Sequence, residues 1–138
     1  MPPVTPGNAQ RWTDALRREA ALFESLASGA RIGVVAEAIV AGAARASTML
    51  VWQREREGMR AGFERYDGFE SAPVDLLIAL DEAGVAGIER AIDGDFVRSL
   101  VRGGHALFFA RRPRAELEES GYEDLLDGIG FAYLGACR

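Results

Sequence analysis

Lysine is absent from the 138 residues, and all 16 basic side chains are arginine. That excludes Schiff-base chemistry and the ammonium group of a Gly-x-x-x-x-Gly-Lys phosphate loop. Cysteine is reduced to Cys137, which excludes an intrachain disulfide or a cage of several thiolates. One residue from the C-terminus, it reads as a small apolar group rather than a nucleophile. Histidine is reduced to His105, so no conventional zinc site and no Ser-His-Asp relay can be built without that single imidazole. No Gly-x-Gly-x-x-Gly follows a strand signal, and nothing else points to a bound nucleotide cofactor. The longest apolar stretch, Ile32 to Ala44, is broken by Glu37 and is too short and alanine-rich to span a bilayer. The opening Met-Pro-Pro-Val-Thr-Pro-Gly lacks both the positive region and the apolar core of a secretory signal. The expectation is a cytoplasmic chain with no metal, no cofactor and no membrane contact.

What is present is ordinary globular material: 49% hydrophobic and 27% charged residues, enough for one core without staples. The formal charge is −5, unevenly spread, with nine arginines against eight acids in residues 1–69 and seven against thirteen in residues 70–138. A chain of this sign repels polyanions unless a basic patch is concentrated somewhere, so nucleic acid is disfavoured. Solvated helices in the second half account for its acidity.

Residues 1–8 hold three of the five prolines and read as a flexible leader before a single domain over 9–138. Trp12, Leu16, Phe23 and Leu26 recur at helical steps between Ala9 and Ala27, with Gly29 as the stop. Ile32 to Ala46 carries two signals: Ile-Gly-Val-Val favours a strand, and the alanine run behind it favours a buried helix. The helix is the reading taken here, with Gly33 and Gly42 as points of close packing. Thr48 to Gln53 and Met59 to Tyr66 form a β-hairpin with a charged tip at Arg54 to Gly58 and an antiparallel edge role. Val74 to Leu80, broken only by Asp75, reads as a strand buried on both faces. A helix over Val85, Ile88, Ile92 and Phe96 is expected next, then a buried strand from His105 to Ala110. A helix from Pro113, interrupted at Gly121, and a terminal strand from Phe131 to Ala136 complete the chain. The predicted class is α/β or α+β: a single mixed sheet of about five strands with a β-hairpin edge, packed by three to four helices, its second-half strands parallel.

Two groups of residues could carry function. Asp81 and Glu82 follow the Val74 strand, and Arg111, Arg112 and Arg114 follow the Ala106 strand. If those strands run side by side in the same sense, the five residues share one carboxyl-end rim, where α/β sheets gather ligands such as an anionic metabolite or a nucleotide. His105 would stand at the opposite end, as a strand-end imidazole. The alternative role for Asp81 is to cap the following helix. The second group is Trp52, Arg54, Arg56, Arg60 and Arg65 on the hairpin, a basic and aromatic-bearing surface able to hold an anion, a nucleic acid strand or an acidic partner. Glu55, Glu57 and Glu64 offset it, and cross-strand ion pairs are the simpler account. No catalytic residue is assigned, and the scarcity of catalytic groups favours a non-enzymatic interaction, regulatory or accessory-subunit domain. Its expected partner is another protein or a second copy of the chain. The competing reading is the small-molecule site on the rim.

Overall fold

A computed structural model describes residues 9–37, 47–85 and 106–128. Five strands, β1 (Arg31–Ala36), β2 (Ser47–Glu55), β3 (Gly58–Tyr66), β4 (Leu76–Leu80) and β5 (Ala106–Ala110), form one open mixed sheet in the order β3-β2-β1-β4-β5. The described helices are α1 (Ala9–Arg18), α2 (Ala20–Phe23), α3 (Arg114–Glu119) and α4 (Tyr122–Gly128), with a 3-10 turn at Phe69–Ser71. This is an α+β arrangement, as the patterning predicts.

The hairpin is the best-signalled element. β2 and β3 pair antiparallel from Ser47↔Tyr66 to Glu55↔Gly58, and Gly58 takes the turn at φ 138°. Alternation sends Leu50, Trp52, Met59 and Ala61 to one face, where Trp12, Leu16 and Phe23 from α1 and α2 meet them. Trp52 lies between Trp12 and Phe23, with both ring centroids 6.2 Å away, a separation at which aromatic pairs add to simple burial. Leu117, Tyr122, Leu125 and Leu126 bring α3 and α4 into the same cluster. Val35, Met49, Val51, Tyr66 and Leu77 form the smaller core of the opposite face, together with Ala72 and Val74.

Four expectations need correction, and others fall outside the described residues. Arg31–Ala36 is a central strand, paired with β2 antiparallel and β4 parallel, and not the start of a helix. A strand buried on both faces reads as a continuous apolar run, and here the run merges with alanines that follow it. β5 is antiparallel to β4, with Leu76↔Ala110 and Leu80↔Ala106, so the parallel pair is β1–β4 and not the two second-half strands. A doubly apolar run carries no record of its direction. β5 is also only partly buried, with Leu107 48% exposed. The leading helix breaks at Glu19 into α1 and α2. The leader, the helix through Ile88 to Phe96, His105, the terminal strand and Cys137 lie outside the described residues.

Gly33 has the close-packing role read from its sequence context. A Cβ there would stand 2.6 Å from Met49 Sδ and 3.0 Å from Leu77 Cδ1, distances that only a bare backbone allows.

Candidate functional site

The antiparallel β4–β5 pair separates the residues expected to share a rim. Asp81 follows Leu80, beside Ala106, whereas Arg111 follows Ala110, beside Leu76. Arg111 lies beside Asp75, six residues before Asp81, or about 20 Å along the strand at roughly 3.3 Å per residue. Asp81 caps: its Oδ1 accepts the Gly84 N–H at 2.7 Å, and its carbonyl accepts the Val85 N–H at 2.9 Å, opening a helical turn over residues 82–85. Glu82 is exposed on that turn.

The arginine trio is tied into the framework at the other end. Arg111 donates to the Glu70 carbonyl at 2.9 Å, Arg112 stands 3.4 Å from Asp75, and Arg114 pairs with Glu118 at 3.1 Å one helical turn on. The knot they join is centred on Asp75 and Tyr122. The Tyr122 hydroxyl lies 2.9 Å from Asp75 Oδ2 and 3.1 Å from the Arg31 carbonyl, and Asp75 Oδ2 also accepts the Arg31 N–H at 3.1 Å. Burial first, and then the adjacent Asp75 carboxylate, hold the Tyr122 proton well above the usual phenol range. Sequence reasoning misses both Asp75 and Tyr122 as partners. The signal for Asp75 is there: a lone acid interrupting a buried apolar run must find partners. Tyr122 is fully buried, and the knot ties the β1 and β4 starts to α4.

The hairpin group divides differently. Trp52 is core, 1% exposed, and not part of a surface. Its parity with Leu50 carries that information, and neighbouring arginines obscure it. Arg60 meets Glu55 at 3.5 Å across the strands, a pair of the kind expected, whereas Arg65 meets Asp67 at 2.6 Å two residues along its own chain segment.

Arg54 and Arg56 come together with a third arginine that the sequence does not single out. They line an open groove of about 560 Å³ between the α1–α2 break and the hairpin tip, with Arg17, Ala20, Ala21 and Phe23 on the helical side and Met59 on the strand side. Glu24 and Glu57 line it too. The volume falls in the range of ligand sites. Arg17 comes from the last turn of α1, where its Nε donates to the Met59 carbonyl at 3.1 Å. Arg54 donates from Nη1 to the Glu55 carbonyl at 2.6 Å, and its Nε is buried with no hydrogen-bond partner among the described residues. Arg56 is exposed at the tip. Arg31, Arg60, Arg65, Arg112 and Arg114 each face a carboxylate. Among the described residues none of the three groove arginines does. The groove therefore presents three guanidinium groups against two glutamates, over a partly apolar wall. It can hold an oxoanion by charge-assisted hydrogen bonds.

Among the described residues no group of three or more His, Cys, Asp or Glu could hold a metal ion, and no helix is long and apolar enough to cross a membrane.

No family model and no curated protein matches the chain. Among solved structures it is similar to the solution structure of a conserved hypothetical protein, "possibly sterol carrier protein", from Thermus thermophilus, at 17% identity and a TM-score of 0.44, over 94% of this chain and 89% of that one.

Proposed function

We propose that the chain is a non-enzymatic cytoplasmic interaction domain, regulatory or accessory in role, which engages an acidic group of a partner protein through the groove between α1–α2 and the hairpin tip. The observation that carries this reading is a contrast among the described residues: Arg31, Arg60, Arg65, Arg112 and Arg114 each face a carboxylate, and Arg17, Arg54 and Arg56 do not. Guanidinium groups left without a carboxylate beside a concave wall supply the attraction that a partner's acid would complete. The groove is built on a helix and a hairpin held by the Trp12, Trp52 and Phe23 cluster, so the donors need little ordering when the partner arrives.

The test is fluorescence anisotropy of a labelled hexaglutamate peptide, with hexaglutamine as the neutral control, at low salt and over a salt titration. Binding of the acidic peptide alone, weakening with salt and lost in the Arg54→Ala, Arg56→Ala double variant, is the expected result. Equal binding of both peptides, or binding unchanged in the double variant, refutes the reading.

A further inference from the structure

We propose that the acidic group taken by this groove is a phosphoryl group rather than a carboxylate; the proposal rests on the interaction reading above and specifies its ligand. The argument is a count of the donors still available. Arg17 uses Nε on the Met59 carbonyl and keeps both terminal amino groups. Arg54 uses Nη1 on the Glu55 carbonyl and keeps the edge formed by Nε and Nη2, of which Nε has no acceptor among the described residues. Arg56, exposed at the tip, keeps its whole fork among the described residues.

A carboxylate offers two acceptor oxygens, both in one plane. A phosphoryl ester has three terminal oxygens arranged as a pyramid, so forks from three directions can each find acceptors. It also carries between −1.5 and −2 charges near neutral pH, by the usual range of about 6 for its second pKa. With three arginines against Glu24 and Glu57, the surplus in the groove is a single positive charge, and attraction to that surplus grows with the charge of the ligand. The Nε of Arg54 adds to the case: a shielded donor without an acceptor among the described residues is costly, and Arg54 lines the groove. The same chemistry is offered by a phosphorylated side chain of a partner protein and by a small phosphomonoester.

Isothermal titration calorimetry on the full chain at fixed ionic strength and pH 7.5 tests this with six probes: inorganic phosphate, glycerol 3-phosphate, a short phosphoserine peptide, its unphosphorylated form, acetate and succinate. The phosphoryl compounds are expected to bind at least tenfold more tightly than acetate or succinate. Arg54→Gln and Arg56→Gln should each reduce that binding at least tenfold, whereas Arg65→Gln, outside the groove, should leave it unchanged. Circular dichroism melts verify that the variants fold. A phosphoserine peptide binding more tightly than glycerol 3-phosphate supports the proposal with its protein source, and the reverse order overturns that protein source. Succinate or acetate matching the phosphoryl compounds overturns the proposal while leaving the acidic-partner reading intact. Failure of every anion, including hexaglutamate, overturns both. Phosphoryl binding that survives both groove variants overturns the assignment to this groove.

Discussion

Single side chains carry much of the fold's specificity, and the Tyr122 hydroxyl is the clearest case. It donates into a part-buried acceptor pair made of the Asp75 carboxylate and the Arg31 carbonyl. Tyr122→Phe keeps the ring packed and removes the donor, so we expect a loss of about 1–3 kcal/mol in urea unfolding at pH 7, the usual penalty for unsatisfied buried groups. The pH dependence has a definite sign. Because the folded-state pKa lies above the unfolded one, the tyrosine's contribution is complete below about pH 10 and is lost as the pH rises beyond it. Stability of the natural protein should therefore fall more steeply above pH 10 than that of Tyr122→Phe, as read from denaturant midpoints between about pH 9 and 11.5. Tyr66, whose pKa is also raised by burial, leaves a residual slope in the variant. Gly121 offers a second test. Its φ is +84°, and an added Cβ would collide with the Ser25 carbonyl, the neighbour of a contact in which Ser25 Oγ donates to the Gly121 carbonyl at 2.8 Å. Gly121→Ala combines left-handed strain with a backbone clash, and a loss of more than about 2 kcal/mol by the same assay is expected.

At the scale of elements, α1 protects the outer strand. Thr13 Oγ1 accepts the outward-facing Ala61 N–H at 3.0 Å and donates to the Ala9 carbonyl at 2.9 Å, while Arg17 serves the Met59 carbonyl. A helix thus occupies part of the edge where another strand could otherwise pair. Thr13→Val, nearly isosteric, leaves the buried Ala61 amide without its acceptor. It should cost about 1–3 kcal/mol, and hydrogen exchange should speed up at Ala61 more than at the β1–β4 amides. Elements signalled by local chemistry are legible in the sequence: the hairpin by its alternation, the α3 start by Pro113, the break before α4 by Gly121. β1 is not, because Ile32 to Ala36 runs into alanines of opposite propensity, and no periodicity marks the boundary. The groove is half legible. Arg54 and Arg56 stand out near one turn, but Arg17 lies far earlier in the chain, on a helix, and only the packing of Trp12 against Trp52 brings it there.

For the whole molecule, strand direction is the decisive unreadable feature. Leu76–Leu80 is buried on both sides, and such a run fits parallel and antiparallel neighbours alike. With β5 reversed relative to β4, the acidic and basic ends that would have made a metabolite rim face opposite ways along the sheet. The central position of β1 gives another measurable consequence. Gly33→Ala pushes a methyl group toward Met49 and Leu77 and should lower global stability by about 1–3 kcal/mol. The denaturant slope should stay unchanged, as expected when the core loosens without altering the surface exposed on unfolding.

Arg31 joins segments that are distant in sequence. Its guanidinium reaches the Pro73 carbonyl, Gln53 and Glu64, and its backbone holds Asp75 and Tyr122. Stations spread from position 53 to position 122 must all be in place before this residue is satisfied, so its contacts are expected to be absent from the folding transition state. Arg31→Ala should then leave the refolding rate in stopped-flow experiments nearly untouched and hasten unfolding instead, so the residue acts as a brake on escape from the native state.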